Sequence, residues 1–365
     1  MKNTKSINLN HLSHPIDQSR FIMVIIFSWI IKLFFKKVNA KLPLRIGRYT
    51  FQKSLSKTGT VKDFTIGLYE DQNGQKALAK MWTGKFKNPT YYTLLNEIIV
   101  TEVLTKVIKR LEKTMPSEYS HIHIPKFIQK QETANSLIIL TEFIEGKIAT
   151  SIPSRRRIDI YLECVKFIQY IGSQMTTREK QLLSIRKPIS FIIIYPLLLL
   201  KAAITHPRII PDLLKSIPIF LRCIPILTKQ KKIVLVHRDL HVNNILISKG
   251  KVGIIDFQLC LFSFELSEFV TTLRYLWKTD DFYIYILQAI KEKYGHQNEF
   301  ETLLRGLIVH SATHGLTGRN FTTAIINRWI DFLRFGQEPY FLKLWDKGRR
   351  GSDNNYRIVY NNKIK

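Results

Sequence analysis

The sequence predicts an α+β fold, built from short buried strands that end in polar residues and from longer helices. Two observations carry that expectation. Residues 233–236, 245–247 and 252–255 are brief apolar, largely β-branched runs, which read as buried strands. Residues 91–111, and the stretch FELSEFVTTLRYLW at 264–277, read instead as helices. With 365 residues the chain can bury a sizeable core.

The polar groups at the ends of the short strands are spaced for chemistry. Asp239 is followed by Asn244 five residues on and by Asp256 twelve beyond that, within IVLVHRDLHVNNILISKGKVGIIDFQ. Lys249-Gly250-Lys251 supplies the turn of a hairpin between the second and third strands. Loops at strand ends are where a rigid scaffold displays reactive groups. Moving the terminal phosphoryl of ATP needs positioning and charge neutralisation more than covalent help. Asp239 suits the proton of an acceptor hydroxyl. The oxygens of Asn244 and Asp256 suit Mg²⁺, a hard cation. His237 reads as a brace for the loop.

HRDLHVNNIL followed by IIDFQ resembles the catalytic and metal loops of the protein-kinase-like superfamily. The likeness is greatest to its small-molecule branch of aminoglycoside phosphotransferases, choline kinases and lipopolysaccharide core (Kdo or heptose) kinases. Arg238 stands where many small-molecule members have glycine, and Gln258 replaces the glycine of the DFG-like triplet. The resemblance implies a bilobal fold, with a small β-rich lobe over 45–145 and a larger, mainly helical lobe over 146–350. It also implies ATP and Mg²⁺ as cofactors.

The same resemblance names partners upstream. Lys80, ending ALAK, is similar to the phosphate-binding lysine of the third strand, and 91–111 to helix C. Glu97 is the expected partner of Lys80, with Glu102 as competitor. Ser56 and Gly59 fall where a glycine-rich loop would cover the nucleotide, although the stretch offers few glycines. SLIILTEFIEG at 136–146 resembles the hinge, where the Glu142 carbonyl and the Ile144 amide would meet adenine. After Asp256 the chain runs directly into the helix-like stretch at 264–277 with no APE-like motif, so a peptide platform is not expected.

Charge and hydropathy set the partner class. The formal net charge is +28 and the pI near 10, a field that attracts phosphate-rich or anionic surfaces. Basic residues alternate with apolar runs at 21–31 and 191–200, neither long enough to span a bilayer. Residues 1–44 form a basic, apolar segment that suits either a membrane surface or a core helix. An insertion at about 184–232 suits helices lying in a membrane interface. Cys164, Cys223 and Cys260 are too few and too scattered for a disulfide framework or a metal site. No heptads or internal repeats are expected, and 351–365 reads as a polar, mobile tail.

The function expected is phosphorylation of a sugar or glycolipid hydroxyl, lipopolysaccharide-core-like, by a cytoplasmic enzyme held peripherally at the inner membrane. An anionic membrane surface is an expected partner and nucleic acid is not. A soluble aminoglycoside- or choline-type phosphotransferase, an atypical protein kinase and a membrane-bound pseudokinase scaffold are the alternatives.

Overall fold

The computed structural model describes residues 41–55, 64–85, 87–279, 281–297, 299–318 and 322–338. The readings made for 1–40, for Ser56 and Gly59, and for the tail at 351–365 lie outside these residues. The chain divides into two compact units, Met1–Ser190 with Lys232–Glu268, and Phe191–Lys231 with Phe269–Lys365.

In the first unit, β1 (Arg45–Ile46), β2 (Tyr49–Ser54), β3 (Thr65–Glu70) and β4 (Lys76–Thr83) precede helix α1 (Pro89–Leu111). Then come β5 (Ile122–His123), β6 (Phe127–Glu132) and β7 (Ser136–Glu142). Six of these strands form one antiparallel sheet in the order β1-β2-β3-β4-β7-β6. Alternation along β4 divides its side chains between two cores. Ala77, Ala79 and Met81 join Tyr49, Tyr69 and Leu140 on one face. Trp82 meets Tyr91, Leu94 and Ile98 of α1 on the other. Lys80 shares the parity of Trp82 and therefore points toward α1. Asn88 caps that helix, accepting from the Tyr91 amide at 3.0 Å and from Trp82 Nε1 at 2.9 Å.

β8 (Lys147–Ile148) leads into α2 (Ser154–Ser173) and α3 (Thr177–Leu182). Later come β9 (Val234–Val236), β10 (Ile245–Ser248), β11 (Lys251–Ile254) and β12 (Leu261–Ser263). A second sheet has the order β5-β11-β10-β8, and β12 pairs with β9. The β10–β11 hairpin turns through Lys249 and Gly250, both at positive φ (44° and 79°). Such a two-residue turn matches the twist of its strands, and glycine takes the second position without steric cost. The short strand β12 was not legible between Leu259 and Phe264; its three residues are ordered by pairing with β9.

The second unit is helical: α4 (Pro188–Thr205) for all but its first turn, α5 (Ile210–Thr228), α6 (Leu266–Leu276) from Phe269 on, α7 (Phe282–Tyr294), α8 (Phe300–Leu316) and α9 (Thr323–Gln337). Helix α5 lies against α8 so closely that a Cβ on Gly306 would collide with Cys223. Arg334 of α9 holds Asp212 of α5 at 2.8 Å. His310 of α8 is enclosed by the rings of Phe191, Tyr195 and Phe220. One expectation needs correction. Residues 210–230 read IPDLLKS, IPIFLRC, IPILTKQ, a heptad repeated three times inside a chain read as free of repeats.

Candidate active site

Lys80 is where the two halves of the first unit meet chemically. Its Nζ lies 2.7 and 3.0 Å from the two carboxylate oxygens of Glu97 and 2.9 Å from Asp256 Oδ1. Strand parity aims Lys80 at α1, and on α1 Glu97 falls on the stripe of Leu94, Ile98 and Thr101 that is buried against the sheet. Glu102 belongs to another face, where it pairs with Lys106 at 2.8 Å. The competition for Lys80 is decided by helical phase.

Lys80 and Glu97 are almost fully buried, while Asp256 is more open at 28% side-chain exposure. Burial alone would lower the Lys80 ammonium, but Asp256 and Glu97 overcome it and hold the group above its ordinary value. Burial raises Glu97 to about 7 against the pull of Lys80, with the Asp256 charge adding to the rise. Burial would raise Asp256 too, yet Lys80 holds it below its ordinary value. One ammonium thus serves two carboxylates, and the excess negative charge is least tolerated at Glu97.

The loop after β9 carries the second cluster. Asn244 Nδ2 donates to the Asp239 carbonyl at 2.8 Å and to its Oδ2 at 3.2 Å. His241 Nε2 is 3.7 Å from Asp239 Oδ1. The Asn244 carbonyl accepts from the Ile255 amide at 3.0 Å, which sets Asn244 beside the residue preceding Asp256. His237, fully buried, donates from Nε2 to the Ile255 carbonyl at 3.0 Å and packs on Phe257. Burial lowers its pKa to about 4, so the ring is neutral at pH 7. It braces two loops, as its position between strands suggested.

Two residues at this centre hold backbone conformations that side chains rarely adopt: Arg238 at φ 63° and Asp256 at φ 68°. The loops that carry them are held from outside. Glu268 Oε2 accepts the Arg238 amide at 2.7 Å, and the same carboxylate takes backbone N–H groups of His237 and Leu240. Burial raises Glu268 to about 7 in spite of these donors. Asn96 Nδ2 donates to the carbonyls of Gln258 and Cys260 at 3.0 and 3.1 Å, tying α1 to the loop after Asp256. Sequence reading passed over both residues. The signals were available: an acid within the apolar run FELSEFV, and an amide next to Glu97.

Of the expected nucleotide contacts, Glu142 ends β7, and its carboxylate meets His123 Nε2 at 3.2 Å and the Lys126 amide at 3.3 Å. The Glu142 amide donates to the Lys126 carbonyl at 2.9 Å. The Ile144 side chain lies over Gly253, where an added Cβ would approach to 2.8 Å. Ser56 and Gly59 belong to the undescribed stretch at 56–63. Among the described residues no group of three His, Cys, Asp or Glu is placed to hold a metal. A magnesium ion needs no such cage. It takes one or two protein oxygens, and the rest from phosphate and water, which Asp256 and Asn244 can satisfy.

Comparison with known proteins bears on the fold. Residues 196–298 match the sequence profile of the phosphotransferase enzyme family, APH. Among curated protein sequences none matches this chain. A thermostable mutant of the aminoglycoside phosphotransferase APH(4)-Ia in its apo form is similar, with a TM-score of 0.52 and 11% identity over 79% of this chain and 96% of that one. A ternary complex of the same enzyme with ADP and hygromycin B gives 0.50 and 10% identity, over 79% and 92%. The chain has the kinase-like phosphotransferase fold, and the resemblance read from HRDLHVNNIL and IIDFQ stands.

Proposed function

We propose that this protein is an ATP- and Mg²⁺-dependent phosphotransferase acting on a hydroxyl of a sugar or glycolipid, lipopolysaccharide-core-like, at the cytoplasmic face of the inner membrane. The observation that carries the reading is the Lys80–Glu97–Asp256 triad, one ammonium held between two carboxylates beside a loop bearing Asp239 and Asn244. Lys80, protonated and oriented by Glu97, is the phosphate-binding cation. Bound Mg²⁺, held by Asp256 and the Asn244 side-chain oxygen, would supply neutralisation of phosphate charge. With Asp256 engaged in that way, Lys80 would keep its pairing with Glu97 and could turn ammonium protons toward phosphate oxygens. Asp239, positioned by Asn244, accepts the proton of the acceptor hydroxyl.

Charge favours an anionic acceptor. Aminoglycosides are polycations and would approach this protein against a net charge of +28. A sugar that already bears phosphate, or one embedded in an anionic lipid, is drawn in by the same field. The partial match to the phosphotransferase family keeps a soluble acceptor as the second reading. Incubation with labelled ATP and a membrane extract, followed by partition between lipid-extractable and water-soluble fractions, separates the two. Label is expected in the lipid fraction, dependent on Mg²⁺ and absent for Asp256→Ala. Label confined to soluble acceptors would overturn the glycolipid assignment, and no transfer at all would remove the enzyme.

A further inference from the structure

Helices α4 and α5 expose what helices usually hide. On α4, Phe191, Tyr195, Leu198 and Ala202 are buried, with Phe191 and Tyr195 against His310. Ile189, Ile193, Leu197, Leu200 and Ile204 are exposed, from 36% to 61%. At 100° per residue these five fall within about 80° of arc, a single apolar stripe. Helix α5 repeats the arrangement through its heptad. Phe220 and Cys223 pack toward α8, and the Ser216 hydroxyl meets Tyr195 at 2.7 Å. Pro211, Leu214, Pro218, Leu221 and Pro225 line the exposed side, again within about 80°. Lys215, Arg222 and Lys229, one per heptad, form a row beside that stripe.

A partner for these stripes must be apolar in its interior and anionic at its surface. Between Pro188 and Lys232 the chain has seven Lys and Arg and a single acid, Asp212, which is already paired with Arg334. Packing argues against a spanning arrangement. The buried sides of α4 and α5 are committed to their own unit. The apolar run at 191–200, too short by itself to span, is extended by folding into the 18-residue helix Pro188–Thr205, which is long and apolar enough to cross a bilayer. One side of α4 is packed against its own unit, however, which favours the interface.

We propose that the exposed faces of α4 and α5, turned away from α8, dock on an anionic lipid bilayer, with Lys215 and Arg222 at the headgroups and the Ile, Leu and Pro stripes in the acyl boundary. This deepens the glycolipid reading by assigning the surface that holds the protein beside its acceptor, and it is tested without any phosphoryl transfer. The native thiols are buried and raised in pKa by that burial, so a fluorophore can be placed selectively. The full chain is labelled with an environment-sensitive dye at Leu200→Cys, at Leu221→Cys, or at Lys109→Cys on the exposed side of α1 as a control. It is then mixed with phosphatidylcholine vesicles containing about one third phosphatidylglycerol, or none.

The expected result is sedimentation with anionic vesicles, a blue shift at 200 and 221, and no shift at 109. Lys215→Glu with Arg222→Glu should weaken association by about tenfold or more, while Lys109→Glu with Lys113→Glu should not. Association with no shift at 200 and 221 would overturn the proposal, because another surface would then hold the lipid. Equal shifts on neutral vesicles would overturn the anionic assignment. A shift without lipid that grows with protein concentration would assign the face to a second copy of the chain instead.

Discussion

The loops around Asp239 and Asp256 and the helix pair α4–α5 break the inside-out rule in opposite directions. In the first region Lys80, Glu97, His237, Asp239, Asn244 and Glu268 are buried. In the second, Ile193, Leu200, Leu214 and Leu221 are more than half exposed. Each exception is costly unless something answers it, and what answers it differs. The buried polar groups are answered within the chain: Lys80 by two carboxylates, Asp239 by Asn244, the Arg238 amide by Glu268. The exposed apolar stripes are covered by none of the described residues of their own unit. A buried polar network thus marks a candidate site for chemistry, and an uncovered apolar face a candidate docking surface.

The comparison predicts unequal responses to substitution. The largest is Asp239→Asn, which should lower the phosphoryl-transfer rate by about 10²–10⁴-fold while leaving the denaturation midpoint nearly unchanged. A comparable fall in stability would make Asp239 structural instead. Lys80→Met leaves Glu97 and Asp256 facing each other without their cation. It should destabilise the fold by about 3–5 kcal/mol in urea unfolding, besides abolishing ATP binding. Leu198→Ala, on the buried side of α4, should cost about 2–5 kcal/mol.

His237 gives a pH signature. Its folded value of about 4 lies below the ordinary 6.5, so the neutral ring is favoured in the folded state. Its contribution, up to about 3 kcal/mol, is fully present above pH 6.5 and is lost as pH falls toward 4. Urea midpoints measured between pH 7 and 4 should fall less steeply for His237→Gln than for the parent. The smallest effect belongs to the other region. Leu200→Ser, two residues from Leu198 but 61% exposed, should change stability by less than about 0.5 kcal/mol. If it unfolded the protein, the stripe on α4 would be core.

Legibility followed the range of the interaction. The hairpin turn at Lys249-Gly250 and the existence of β9, β10 and β11 depend on neighbours in sequence, and residue types alone indicated them, although only Ile245 of β10 is fully buried. The choice of Glu97 over Glu102 depends on which side of α1 meets β4, a matter of register 17 residues apart for Lys80 and Glu97. Asn96 and Glu268 act on backbone groups of distant loops, where their own identity carries little local signal. The α5 repeat was present in the sequence but lacked meaning until burial separated its Ser216 and Phe220 side from its proline side.

By itself the sequence determined which chemical groups exist and in what order: two carboxylates and an amide at strand ends, a lysine upstream, a basic surplus and apolar runs. These are local or summed properties, and no folding is needed to count them. Only the tertiary structure decided that Lys80 is shared between Glu97 and Asp256, that Glu268 holds the loop of Asp239, and which sides of α4 and α5 stay uncovered. Distances between groups remote along the chain are set by sheet register and helical phase together, and neither can be read from one segment alone.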